Sequence, residues 1–179
     1  MAYVEALLQE DVPFVITTDA AAHLPKADLI VAATSSPEAL ITPAMLKWGA
    51  VICDLSRPAN VSREVLHKRP DVLVIDGGIV EVPNRPDLGW NFGFEPGQAY
   101  ACMSETMMLA LEKKYENASL GADLNMEHIQ YLRKLADKHG FTLAGLRSFD
   151  RPLTSEELER VRDLRANASD SGDIVVQNA

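Results

Sequence analysis

The chain has 179 residues, a formal net charge of −9 and an apolar fraction of 47%. This length suits one domain, or one domain with appendages, and is enough to bury a core. The negative charge argues against general binding to nucleic acid or an anionic membrane, because both favour a basic protein surface. No apolar run approaches the roughly 20 residues that span a bilayer. The two cysteines are too few for a secreted disulfide scaffold, so a cytoplasmic location is predicted.

The first half of the chain alternates short apolar runs with segments of helical length. Residues 2–10 are interpreted as the end of a helix, and Pro13–Thr17 is predicted as a strand. Three further runs are predicted as strands: Asp28–Ala33, Ala50–Asp54 and Val72–Ile75. Short helices are predicted between them, over Ala20–Lys26, Thr42–Lys47 and Arg63–Lys68. Unbroken apolar runs joined in this way are typical of parallel strands. The sequence therefore predicts an α/β fold, the second half of a Rossmann-type sheet with about four strands, followed by C-terminal helices.

The second half changes character at a stretch rich in proline, glycine and aromatic residues. A loop of this length is usually functional, and its aromatic residues favour a lid or a pocket wall. A long helix is predicted over Gln98–Tyr115, a second one between Asn125 and Gly140, and a third one after a Thr154–Glu157 capping box. The predicted divisions are a partial dinucleotide-binding domain (1–82), the aromatic loop (83–97), a helical region (98–165) and a flexible tail (166–179).

Small and polar residues follow the predicted strands, at the carboxyl ends where parallel α/β sheets bind ligands. The predicted cofactor-binding residues are Thr34, Ser35, Ser36, Asp76, Gly77 and Gly78. Hydroxyls at such positions also make tight turns, and both interpretations stay open for them. The glycine pair favours a close approach of ligand to backbone. No strand is followed by G-x-G-x-x-G, so the phosphate-binding part of a dinucleotide fold is expected to be missing.

Cys102 is the candidate nucleophile, and Glu105 follows it on the same face of the predicted helix. A thiol beside a carboxylate has the elements of nucleophilic catalysis. Core packing is the alternative, because free cysteine is among the most buried residue types. Cys53 lies inside a predicted strand and is interpreted as a core residue. The histidines have no metal-ligand spacing, so no metal site is predicted.

Several segments resemble the C-terminal half of the long-chain acyl-acyl carrier protein reductases in order and spacing. They are LPKADLIVAATSS, PAMLK, VICD, VLVIDGGIVE, QAYACMSETMML and KHGF, within residues 20–146. The strand segments are also similar to shikimate dehydrogenases and glutamyl-tRNA reductases, and so indicate an NADP-type Rossmann domain. The segment 98–105, after the Asp76-Gly77-Gly78 strand end, distinguishes the reductase family among these.

The resemblance implies an NADPH-dependent oxidoreductase that reduces a fatty acyl thioester, carried on acyl carrier protein or coenzyme A, to a fatty aldehyde. Cys102 would hold the acyl group, and Glu105 would act through neighbouring groups. The aromatic loop would line an acyl channel. A missing N-terminal half would complete the enzyme, so this chain alone would bind NADP weakly or not at all. Two alternatives stay open: another Rossmann dehydrogenase in which Cys102 is packed, and a non-catalytic remnant.

Overall fold

A parallel three-stranded sheet organises the first half of the chain. The computed structural model describes residues 15–90, 92–119 and 125–170, with the backbone alone for 167–170. The strands are β1 (Leu29–Ala32), β2 (Val51–Asp54) and β3 (Leu73–Asp76), which lie in that order. Leu29 lies opposite Val51, and Val51 opposite Leu73, so the three strands run in register. The prediction of a mixed α/β fold with parallel strands is confirmed.

Alternate residues of these strands form the first core. Ile30, Ile52 and Val74 are neighbours across the sheet and are all buried on one face. Side chains from the crossover segments cover that face, including Ile41, Leu46, Val61 and Val65. Apolar strand residues at a spacing of two therefore place one complete face of the sheet in the interior.

The segments that cover this face are short. They are α1 (Ala20–His23), continued by a 3-10 turn at Leu24–Lys26, a 3-10 turn at Pro43–Met45, and α2 (Glu64–Lys68). Asp19 caps α1, because its carboxylate accepts a hydrogen bond from the backbone N–H of Ala22. The helix predicted as far as Lys47 is reduced to the 3-10 turn, because the backbone is already extended at Leu46.

The prediction of a first strand over Pro13–Thr17 is wrong for its described residues. Val15–Thr17 has no regular secondary structure and is exposed, whereas Pro13 and Phe14 lie outside the described residues. The helix predicted over residues 2–10 also lies outside them. Three parallel strands, rather than four, are therefore present in the described part of the chain.

A small antiparallel sheet follows the parallel one. It consists of β4 (Ile79–Glu81), β5 (Gln98–Tyr100) and β6 (Thr142–Leu143), with β4 in the centre. The prediction of helix from Gln98 onward is wrong for the first three residues, because they pair with β4. Ala99 lies opposite Val80 and is fully buried. The helix α3 (Ala101–Leu111) begins only after this strand.

Two longer helices and a short hairpin complete the described chain. They are α4 (Met126–His139), β7 (Arg147–Ser148), β8 (Arg151–Pro152) and α5 (Ser155–Asp170). The predicted caps are confirmed: the Asn125 side chain accepts from two backbone N–H groups of α4, and Gly140 ends α4 with φ +81°. The Thr154–Glu157 capping box is formed as well. Regular helix extends to Asp170, past the predicted start of the tail, and 171–179 lie outside the described residues.

A second core joins the antiparallel sheet to α3 and α4. Its buried members are Val82, Ala99, Met108, Leu109, Leu135 and Phe141. Within the described residues, no helix combines the length and the apolar content that crossing a bilayer requires.

Candidate functional site

The Gly77-Gly78 turn connects β3 to β4 along the chain and contacts the start of α3. The backbone N–H of Ala101 donates to the carbonyl oxygen of Gly78 at 2.7 Å. The pairing of Ile79 with Tyr100 continues this contact along β4 and β5. Cys102, the next residue of α3, is therefore held close to the carboxyl end of the parallel sheet, although the two segments are distant in sequence.

Cys102 lies on the surface of α3 and is exposed, with its sulfur in no disulfide. It lines two separate cavities, and Glu105 lines both of them as well. The alternative that Cys102 is a packed core residue is therefore at odds with its position. Cys53, by contrast, lies in β2 and is half-buried.

Glu105 is held by two hydrogen-bonding partners from other segments. The Ser119 hydroxyl donates to its Oε1 at 2.6 Å, and Nε2 of His128 lies 2.8 Å from the same oxygen. Partial burial acts to raise the pKa of Glu105, but the contacts with Ser119 and His128 outweigh it and lower the pKa below its ordinary value. Glu105 therefore carries its negative charge at neutral pH and fixes the imidazole of His128 next to α3.

The larger of the two cavities has a volume of about 520 Å³ and lies between α3 and the segment that follows it. Polar side chains line much of it, among them Thr106, Lys114 and Glu116. Lys114 pairs with Glu116 and also lies over the ring of Tyr131, 4.5 Å from its centroid. This cavity is accessible to solvent at an exposed surface of the protein.

The second cavity, of about 430 Å³, has a mostly apolar wall formed by α3, α4, β4 and β6. Met108, Leu132 and Phe141 provide part of this wall. Ser104 also lines it: the side chain is almost completely buried, and its hydroxyl has no hydrogen-bond partner in the described structure. A buried hydroxyl without a partner is uncommon, and it can bind a polar atom of a ligand in an otherwise apolar space.

The predicted cofactor-binding residues lie together at the carboxyl edge of the parallel sheet, but their polar groups largely have partners within the chain. The Thr34 backbone N–H donates to the Ser56 hydroxyl, and the Thr34 hydroxyl donates to the side-chain oxygen of Asn60. The Ser36 hydroxyl donates to the carbonyl of Glu38. Ser35 is exposed at the same edge.

The residues after β3 also have structural roles. The Asp76 carboxylate accepts from the backbone N–H of Asp150 at 2.8 Å. A Cβ at Gly77 would lie 2.2 Å from Cδ2 of Leu55, so a side chain here would require Leu55 to move. Gly78 has φ +80°, a conformation that other residues rarely adopt. The ligand-binding role of all six predicted residues stays a prediction.

Asp54, the last residue of β2, holds the loop that follows this strand. Its carboxylate is buried and accepts three backbone hydrogen bonds, from Ser56, Asn60 and Val61. Asp54 therefore holds the loop after β2 in place and is not available to a ligand.

Sequence reasoning did not identify His128, Ser119 or Ser104 as site residues. The cap at Asn125 places His128 in the first turn of α4, but nothing in the sequence indicates which helix that turn faces.

The third cavity, of about 480 Å³, lies within the predicted aromatic loop and is lined by Trp90, Phe92 and Phe94. Within the described ranges, no group of three or more His, Cys, Asp or Glu residues is arranged to hold a metal ion.

Comparison with known proteins corrects the functional interpretation of the sequence. The chain is 35% identical over 150 residues to the aminotransferase PigE of Serratia sp. (strain ATCC 39006). The match covers 82% of this chain and 17% of the length of PigE. No family model matches the chain.

A relative named as an aminotransferase contradicts the resemblance to the acyl-acyl carrier protein reductases. The predictions of a fatty acyl thioester reductase, of an NADP-dependent oxidoreductase and of NADPH as cofactor are therefore wrong. The alternatives of another Rossmann dehydrogenase and of a non-catalytic remnant also have no support. The physical reason is that apolar strand segments indicate only the kind of sheet in which they pack. Proteins with many different activities share that kind of sheet.

Proposed function

We propose that this chain is an α/β domain of a longer, aminotransferase-type protein, in which it holds a small apolar carbonyl compound through the thiol of Cys102. The proposal depends above all on one observation: Cys102 is an exposed thiol that shares the walls of two cavities with Glu105. An aminotransferase exchanges an amino group for a carbonyl group. A domain that retains a carbonyl compound next to such an enzyme would raise its local concentration.

The thiol can add reversibly to an aldehyde. The Cys102 sulfur forms a bond to the carbonyl carbon, and the π electron pair of the carbonyl moves to its oxygen. That oxygen takes up a proton, and the thiol loses one, so the product is a hemithioacetal and no oxidant or reductant is consumed. Thiolate is the reactive form of cysteine, so a group that accepts the thiol proton promotes the addition.

Three neighbouring groups have roles in this step. His128 provides an imidazole that can accept a proton, and its Nε2 lies 2.8 Å from Oε1 of Glu105. The Ser104 hydroxyl is buried, has no partner and lines the same apolar cavity, where it is available to a polar group of the bound compound. The apolar wall of Met108 and Leu132 suits a hydrocarbon chain.

The described residues do not fit pyridoxal phosphate, the cofactor that an aminotransferase relative suggests. That cofactor is held through the amine of a lysine enclosed in the active site. Every lysine of this chain is exposed, and the one that lines a cavity, Lys114, pairs with Glu116. We therefore assign no pyridoxal phosphate site to this segment and place the amino-transfer chemistry in the rest of the longer protein.

The experiment is a protection assay with iodoacetamide, in which mass spectrometry follows alkylation of Cys102 and Cys53 separately. Decanal is the probe. We expect decanal to slow alkylation of Cys102 at least tenfold and to leave Cys53 unaffected. Leu132→Asn should abolish the protection and leave the alkylation rate without decanal largely unchanged, because it makes the cavity wall polar without adding a charge beside the thiol. Equal alkylation of Cys102 with and without decanal would reject the proposal.

Three broader assignments belong to the same proposal. The parallel sheet is assigned to the Rossmann type, because three parallel strands in register are joined by crossover segments. The divisions after residues 82 and 97 are retained, with β5 as a strand within the third division, and the third division is extended to Asp170 because α5 continues to that residue. A cytoplasmic location suits a functional free thiol, since reducing compartments keep thiols reduced.

A further inference from the structure

The described residues leave one face of the parallel sheet largely uncovered. We call it the outer face and define it by the residues that alternate with the buried ones. They are Leu29, Val31, Val51, Cys53, Leu73, Ile75 and, just after β2, Leu55. Leu55 belongs to this face because its side chain and the sulfur of Cys53 both lie over Gly77.

The two faces of β1 differ sharply in exposure. Leu29 and Val31, on the outer face, are 65% and 60% exposed, whereas Ile30 and Ala32, on the inner face, are 7% and 5% exposed. The outer-face residues of β2 and β3 are half-buried, and Leu55 is exposed. All seven side chains are apolar or a thiol. Contact of this surface with water is therefore unfavourable, and its burial would lower the free energy.

The edge of the sheet at β1 is also open. Within the described residues, β1 pairs with β2 alone, so the backbone groups on its other side have no strand partner. The strand Leu29–Ala32 contains no charged residue and no proline, which are the usual means of protecting an edge from another strand. Parallel sheets are normally covered on both faces, so an open edge beside an open face is unusual.

We infer that the outer face and the edge of β1 bind a strand-and-helix segment from the rest of a longer polypeptide. The strand would pair in parallel with β1, and the helix would cover Val31 and Leu55 with an apolar face. The length of the relative supports this occupant, because the matched region is 17% of PigE and leaves ample chain to provide it. A second copy of this chain fits less well, since each copy carries a net charge of −9 and the two would repel. The inference rests on the proposed placement of the chain in a longer protein.

The first arm of the test uses this chain alone. Val31→Cys and Leu143→Cys are made separately in a background in which Cys53 and Cys102 are serine. Leu143 is the matched control, because it is an exposed apolar residue on β6, away from the outer face. We expect maleimide to label both variants rapidly, and sedimentation to show monomers. Slow labelling of Val31→Cys in a monomer would show that the chain covers this face itself. Protection that increases with protein concentration, together with a dimer, would show that a second copy does so. Either result would overturn the inference.

The second arm uses full-length PigE, in which cysteine replaces the residue aligned with Leu55 in one variant and the residue aligned with Leu143 in another. We expect at least tenfold slower labelling at the first position than in a Leu55→Cys variant of this chain, made in the same serine background, and a smaller change at the second position relative to Leu143→Cys. Equally fast labelling at the first position would overturn the inference. That outcome would not affect the proposed thiol chemistry, because Cys102 and its cavities lie on α3 and are tested by the decanal assay.

Discussion

Removal of the Asp54 carboxylate should destabilise the fold far more than removal of the exposed carboxylate of Asp28, which precedes β1. Asp54 is 1% exposed and accepts three backbone hydrogen bonds of 2.7 to 3.0 Å. A buried donor that loses its partner costs about 1–3 kcal/mol. Three such donors would cost up to about 9 kcal/mol, and water that enters the vacated space reduces this amount. We therefore expect Asp54→Ala to lower the free energy of unfolding by about 3–5 kcal/mol, a large part of the about 5–15 kcal/mol of a typical domain.

Asp54→Asn should have an intermediate effect. An asparagine oxygen can replace one carboxylate oxygen, but its amide group then faces a backbone N–H, so at least one hydrogen bond is lost. The assay is urea unfolding at neutral pH, followed by far-UV circular dichroism. Asp28→Ala is the control, because Asp28 pairs with Lys47 at an exposed site, where an ion pair contributes little to stability. A loss of less than 1 kcal/mol for Asp54→Ala would refute this reasoning.

Three further predictions concern other contacts. Arg151 and the Thr154 cap lower the pKa of Glu157 from 4.5 to about 2, so its contribution to stability is complete above pH 4.5 and is lost as the pH falls toward 2. An NMR titration should show this pKa, and Arg151→Ala should return it toward 4.5; an unchanged pKa in that variant would contradict the assignment. Asn125→Ala should cost about 1 kcal/mol in urea unfolding, because two N–H groups of α4 lose their acceptor, and Asn125→Asp should retain the cap. Gly77→Ala should cost about 1 kcal/mol through its clash with Leu55, and Leu55→Ala should relieve that cost in the double variant; additive losses would show that the two residues do not interact.

The parallel strands could be predicted from the sequence because each is an apolar run with a turn residue at its end. The helix caps were equally accessible, since Asn125, Gly140 and Thr154 act on their own neighbours in the chain. Local signals of this kind do not depend on the tertiary fold.

The antiparallel sheet could not be predicted in the same way. Strands of two or three residues, such as Gln98–Tyr100, are too short to show a period of two, and their pairing partners are distant in sequence. The apolar and small residues from Ala99 onward fit a helix equally well. Only the contact of Ala99 with β4 decides the conformation, and that contact is tertiary.

The candidate site could be predicted only in part, because some of its contacts are local in sequence and others depend on tertiary packing. Cys102 and Glu105 were identified because they are three residues apart on one helix. His128 is 23 residues from Glu105 along the chain, so their pairing depends on how α4 packs against α3. The cavity beside Ser104 depends in addition on β4 and β6, which were not predicted.

The most direct measurement of the proposed chemistry is NMR of decanal that is isotopically labelled at its carbonyl carbon and mixed with the intact chain. We predict a protein-bound signal from a carbon attached to both oxygen and sulfur, which persists in Cys53→Ser and disappears in Cys102→Ser. If free decanal and its hydrate account for all of the signal, or if the bound signal survives in Cys102→Ser, then Cys102 is not the group that holds the carbonyl compound.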